Sequence, residues 1–118
     1  MMASRGDIFY AQLNFLDGVN NEGLTPVLIL ENQSGSRYMP TIICAVITKM
    51  KEPKLPVHIS IEDENCPLVT EATIRLEIIH TIDKKRLREK LRRLNDEMMD
   101  EVDAALKIIF GLNDPSET

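Results

Sequence analysis

Two apolar runs decide the fold: Pro26-Val27-Leu28-Ile29-Leu30, then Thr41-Ile42-Ile43-Cys44-Ala45-Val46-Ile47-Thr48, with the turn Asn32-Gln33-Ser34-Gly35-Ser36 between them. Neither run alternates. Apolar side chains at successive positions are the mark of strands covered on both faces. The Asn, Ser and Gly residues between them supply turn chemistry.

Outward from this pair, residues 8–13 read as a short aromatic and aliphatic strand, and Gly18 to Gly23 as a loop. Val57-His58-Ile59-Ser60-Ile61-Glu62 alternates strictly, with Val57, Ile59 and Ile61 inward and His58, Ser60 and Glu62 toward solvent. Residues 63–67 form a loop. Residues 72–78 alternate again, with Ile74, Leu76 and Ile78 inward. Several short strands with turns between them give a small barrel or two packed sheets. The last third reads as helical. Asp83 is placed to cap a helix over residues 84–94, and Asn95 or Asp96 to cap a second. Met98, Val102, Ala105 and Ile109 form the apolar stripe of that second helix, and Gly111 stops it. Residues 113–118 read as a frayed tail.

At 118 residues the chain is one domain, 1–118, with an ordinary balance of 43% hydrophobic and 28% charged residues. It has no Trp and only 4% aromatics, so aliphatic side chains fill the core. A net charge of −5 counts against attachment to nucleic acid by bulk charge, though not against a local basic groove. The first residues, with Arg5 and Asp7, make neither a signal peptide nor a membrane anchor, and no apolar run is long enough to span a membrane. Cys44 reads as a core thiol and Cys66 as a free surface thiol, not as a disulfide framework. These features point to the cytoplasm. No His or Cys spacing fits zinc, Glu62-Asp63-Glu64 lacks the calcium-loop pattern, and no Gly-rich phosphate loop is present. No cofactor and no metal are expected.

An ordered set of phrases resembles the MazF/PemK family. Arg5-Gly6-Asp7-Ile8 is similar to the opening of its first strand, and Pro26-Val27-Leu28-Ile29 to its second. Asn32, Gly35, Arg37, Pro40 and Thr41 match a spaced turn. Ala45-Val46-Ile47-Thr48, Lys54-Leu55-Pro56 with His58, Thr81-Ile82-Asp83-Lys84 and Asp96-Glu97-Met98-Met99 complete the series, which runs from about Arg5 to Leu112. The resemblance implies a mainly β fold with a C-terminal helix, a small antiparallel barrel of the MazF/CcdB type. It implies a homodimer with an RNA groove at its interface, and metal-independent, sequence-specific cleavage of single-stranded mRNA by attack of a 2′-hydroxyl on the adjacent phosphate. It implies an antitoxin partner whose acidic tail fills that groove. Arginine and threonine assist the family's reaction. The threonine falls at Thr48, and RNA contacts fall at Arg5, Asn20, Asn32, Glu77 and the position of Ile78.

The chain departs from that pattern at four positions. In Gly18-Val19-Asn20-Asn21-Glu22-Gly23-Leu24-Thr25-Pro26 the family's acid is Asn20 and its arginine is Thr25. After Glu77, where the family has Gln, Ile and Arg, this chain has Ile78, Ile79 and His80. A threonine hydroxyl is neither a cation nor a useful base, and a free His is mostly neutral at pH 7. Loss of one charge-stabilising donor costs roughly 10²- to 10³-fold in rate. Weakened cleavage follows as the expectation, with Thr25 or His80 standing in poorly for arginine. The alternative is an inactive member that binds an antitoxin or a paralogue. A gyrase-directed role rests on fold alone.

Each candidate also has a plain structural reading. Thr48 is a β-branched residue at home in any strand. His58 reads as a solvated strand residue and His80 as a surface or interface one. Met98 and Met99 read as core. Lys84, Lys85, Arg86, Arg88, Lys90, Arg92 and Arg93 face one acid, Glu89; they form a solvated helix surface, or a contact for phosphate or an acidic tail.

Overall fold

A computed structural model describes residues 3–13, 24–32, 38–49, 55–61 and 72–112. Six strands form one antiparallel sheet: β1 (Asp7–Gln12), β2 (Leu24–Ile29), β3 (Thr41–Lys49), β4 (His58–Ile61), β5 (Ala72–Asp83) and β6 (Leu87–Arg93). Their order across the sheet is β4-β5-β3-β2-β1-β6. A single 3₁₀ turn, Lys84–Arg86, joins β5 to β6, and helix α1 (Asp96–Phe110) follows. The sheet curls as a half-barrel, the mainly β architecture with a C-terminal helix that the sequence predicts.

Both central strands are covered on both faces, as their unbroken apolar runs require. Val27, Leu28 and Ile29 are fully buried and alternate between two apolar clusters. One cluster holds Ile8, Leu28, Ala45, Ile47, Ile61, Ile74 and Leu76 beneath Val102 and Ala105 of α1. The other holds Phe9, Ala11, Leu13, Val27, Ile29, Cys44, Val46, Ile82 and Leu87 on the opposite side of the sheet. Leu→Ala at such a site costs about 2–5 kcal/mol.

Three expectations are corrected. Residues 84–94 are not a helix. Asp83 does cap, its carboxylate accepting from the Lys85 N–H at 2.9 Å, but the turn ends after Arg86 and the chain pairs with β1. Leu87, Leu91 and Leu94 have helical spacing, yet two register shifts against β1 let a strand send Leu87 into one cluster and Leu91 and Leu94 to the other. Ile78 does not share a face with Ile74 and Leu76. The β3–β5 pairing jumps from Ala45↔Ile79 to Val46↔Arg75, so Leu76, Glu77 and Ile78 bulge, and Ile78 packs against the other cluster. His58 is not solvated; it is 7% exposed.

α1 follows its sequence signals. The Asn95 side chain accepts from the Met98 N–H at 2.8 Å, and Gly111 closes the helix in the left-handed region at φ 66°. Arg5 braces the helix to the sheet: one guanidinium nitrogen donates to Leu30 O at 2.8 Å and another meets the Asp103 carboxylate. No helix among the described residues is long and apolar enough to cross a membrane. The loops expected at residues 18–23 and 63–67, part of the turn at 32–36, Glu62, Cys66 and the tail from residue 113 lie outside the described residues.

Candidate functional site

β2 and β3 each carry a threonine just beyond the end of their shared ladder, Thr25 and Thr48. Their register sets Val27 opposite Val46. The ladder ends at that pair; beyond it Thr25 pairs with Ala11 of β1 and Thr48 with Thr73 of β5, and the β2–β3 register carried on by two residues leads from Thr25 toward Thr48. Both lie on the face of the sheet that carries Val27 and Val46. Thr25 is 3% exposed, and the hydroxyl oxygens of Thr25 and Thr48 are buried without a hydrogen-bond partner among the described residues. An unmade hydrogen bond at a buried hydroxyl costs about 1–3 kcal/mol, which singles out these two threonines as candidates for contact with a polar ligand.

Beside this pair stands a charged cluster. Thr48 pairs with Thr73 of β5, and two residues further on the same face is Arg75, paired with both Val46 and His58. Strand geometry puts it about 7 Å along from Thr73. The His58 side chain is 2% exposed. Its Nδ1 accepts the Leu55 N–H at 3.2 Å, so the proton sits on Nε2, which donates to Glu77. The Arg75 Nε–H donates to the same Glu77 oxygen at 3.1 Å. The bulge at residues 76–78 turns Glu77 back toward β4, the re-aiming that bulges perform near functional sites. Partial burial pushes the Glu77 carboxyl upward. Hydrogen bonds from His58, its own backbone and Arg75, together with the Arg75 charge, outweigh that and hold it below the ordinary 4.5. The group is therefore an anion at neutral pH that holds the Arg75 guanidinium, one strand over from Thr48.

The remaining sequence candidates do not gather here. His80 lies opposite Cys44, four residues along β3 from Thr48, or about 13 Å. That distance does not let it replace a cation at position 25. Ile78 packs into the apolar cluster. Arg5 and Asn32 sit beyond the other end of β2 from Thr25. They line an open cleft of about 380 Å³ with Ser4, Arg93, Asp96 and Met99. Asn20 lies outside the described residues. Among those residues, no group of three His, Cys, Asp or Glu side chains is arranged to hold a metal ion.

Arg75 is the residue that sequence reading passed over. Its signal was faint. It is the outward member of an alternating strand, as is His58 on the neighbouring strand, and their meeting depends on β4–β5 register, which the sequence does not state. His58 was singled out but placed in solvent.

The comparisons with known proteins bear on the family and the fold. Residues 4–110 match the family model described as PemK-like, MazF-like toxin of type II toxin–antitoxin system. Among solved structures, an endoribonuclease in complex with its cognate antitoxin from a mycobacterial species is 21% identical, with a TM-score of 0.78 over 97% of this chain and 100% of that one. Mycobacterium tuberculosis toxin MazF-mt6 is 18% identical, with a TM-score of 0.69 over 91% and 98%. A MazE–MazF structure from Deinococcus radiodurans is 14% identical, with a TM-score of 0.74 over 94% and 97%. At these identities the structures speak for the fold.

Proposed function

This chain belongs to the PemK-like, MazF-like toxin family of type II toxin–antitoxin systems, and on that footing we propose that it is a single-stranded mRNA endoribonuclease of reduced activity. The observation that carries the proposal is the buried hydroxyl of Thr48, without a partner among the described residues, on the strand that neighbours the Arg75–Glu77 pair. RNA cleavage by a 2′-hydroxyl forms an O2′–P bond and breaks the P–O5′ bond, so it needs a proton acceptor for the hydroxyl, a proton donor for the departing 5′-oxygen, here solvent water, and a stabiliser for the charge that develops on phosphorus. Glu77, ionised, accepts the proton. Arg75 faces the developing charge. Thr48 donates a hydrogen bond to a phosphoryl oxygen.

The same arrangement accounts for reduced activity. Thr25 supplies a neutral hydroxyl where the family pattern has a guanidinium. Arg75 is partly neutralised by Glu77, and a carboxylate held below 4.5 is a weak base at neutral pH. Arg5, committed to Leu30 and Asp103, acts as a brace; Asn32, Asn20 and the Ile78 position add only peripheral RNA contact. The proposed partners are a second copy of the chain and an antitoxin with an acidic tail, and the proposed compartment is the cytoplasm. A binder that titrates an antitoxin is the second reading, favoured by the neutral Thr25.

One experiment separates them. The chain and its Thr25→Arg variant are incubated with a long single-stranded RNA in the presence of a chelator. Slow, site-specific cuts by the unaltered chain, speeded roughly 10²-fold or more in Thr25→Arg, are expected. Absence of cuts by both proteins would leave the binding reading in possession.

A further inference from the structure

Glu77 sits where the sheet leaves a side chain unheld. The β3–β5 pairing passes from Ala45↔Ile79 to Val46↔Arg75 and skips residues 76–78, so no ladder partner on β3 fixes the Glu77 backbone. A glutamate side chain has several rotors to be stilled. Two side-chain donors supply the hold, and both land on the same oxygen. His58 Nε2 meets Oε2, and Arg75 Nε meets it at 3.1 Å. Among the described residues no side chain donates to Oε1.

The two donors differ in rigidity. Arg75 stands two residues before Glu77 on β5 and is partly exposed. His58 comes from the neighbouring strand, and its side chain is buried. Its Nδ1 accepts the Leu55 N–H at 3.2 Å, and its backbone N–H donates to the Leu55 carbonyl at 3.0 Å. The ring is thus tied twice to one turn. These bonds leave it one proton to give, on Nε2, and aim that proton at Glu77. Burial pushes the Glu77 carboxyl up; of the bonds that pull it down, the one from His58 is the strongest.

We propose that His58 is a positioning residue for RNA cleavage: through Oε2 it holds Glu77 so that Oε1 is the oxygen that takes the 2′-hydroxyl proton. The inference rests on the reading of Glu77 as proton acceptor. A carboxylate oxygen offers two lone pairs, and the two N–H donors occupy both on Oε2. A proton arriving there would displace a donor; on Oε1 it displaces none. The 2′-oxygen then bonds to phosphorus as the P–O5′ bond breaks. The 5′-oxygen takes a proton from water, and the Glu77 proton neutralises the hydroxide left behind. Both donors stay in place throughout, so the site needs no rearrangement as charge moves. The buried ring meets no RNA itself; it acts through Glu77.

The test uses the full chain with 13C-labelled glutamate and 15N-labelled histidine, as the unaltered protein, His58→Gln and His58→Leu. NMR follows the Glu77 carboxyl through its titration and locates the His58 ring proton. Cleavage of a long single-stranded RNA in the presence of a chelator gives kcat and KM against pH. In the unaltered chain the ring proton is expected on Nε2. In His58→Leu the Glu77 carboxyl should titrate at higher pH, and the acid limb of the kcat profile should move up with it. The plateau kcat should fall by roughly 10- to 100-fold with KM unchanged. His58→Gln, whose amide N–H reaches toward the same oxygen, should restore most of both. A Glu77 titration and pH profile unmoved by loss of His58, a ring protonated on Nδ1, or a kcat loss that His58→Gln does not lessen would each overturn the proposal. The ring proton is read on the unaltered chain and does not require His58→Leu to fold. Absence of cleavage by the unaltered chain overturns the reading of Glu77 as proton acceptor as well, and is seen before any variant is compared.

Discussion

Glu77 joins three strands' worth of information in one carboxylate. It accepts from His58 on β4 and from Arg75 two residues before it on β5, and only the bulge that displaces it from the β3 ladder makes this possible. Folding lowers its pKa, so the folded chain holds this proton less tightly than the unfolded chain. Its contribution to stability is therefore complete above the ordinary 4.5 and is lost as the pH falls through the lower folded value. Urea denaturation between pH 6 and pH 3 should show a decline that Glu77→Gln flattens. His58→Leu removes a buried donor and should cost about 1–3 kcal/mol. His58→Gln, whose amide can reach toward Glu77, should cost less; an equal loss in both variants would mean that packing, not the hydrogen bond, sets the cost. Cys44 makes a separate prediction. Burial pushes its thiol up to about 12, so peptide mapping after alkylation of the native chain at pH 8 should find Cys44 unmodified, and modified once denaturant is added.

Among the elements, legibility in the sequence followed the range of the deciding interaction. β2 and β3 were legible because burial on two faces shows in every residue of the run. α1 was legible because Asn95 and Gly111 are local signals. Asn95→Ala should cost about 1 kcal/mol. Gly111→Ala should also cost about 1 kcal/mol: nothing lies within 4 Å of the added Cβ, so the cost is that of an L-residue at positive φ. Equilibrium denaturation checks both. β6 was illegible because its partner is about eighty residues away. Its leucine spacing and Lys/Arg content suit a helix, and its bulges hide the alternation of a strand. Pairing and the ties of Lys90 and Arg93 to Asp7 override that local preference. Asp7→Asn should loosen this seam by about 1–3 kcal/mol, with faster hydrogen exchange confined to β1 and β6.

At the scale of the molecule, the candidate site was half legible. The family pattern points to Thr25 and Thr48, and the structure adds that both hydroxyls are buried without a hydrogen-bond partner among the described residues. Arg5 and Asn32 match the pattern and His80 departs from it, but the strands hold all three away from Thr48, and the meeting of Arg75 with His58 emerges only from the β4–β5 register. Linear spacing records what lies along a strand; a site built across strands is written in register. The sheet's order has one more consequence, for the making of the protein. The outer partner of the first strand comes from residues 87–93, and Arg5 is held by Asp103. A nascent chain still lacking these residues cannot seat its own beginning. The first strand thus gains its outer partner, and Arg5 its carboxylate, only once residues 87–103 have been made, so the sheet is completed from its last strand back to its first.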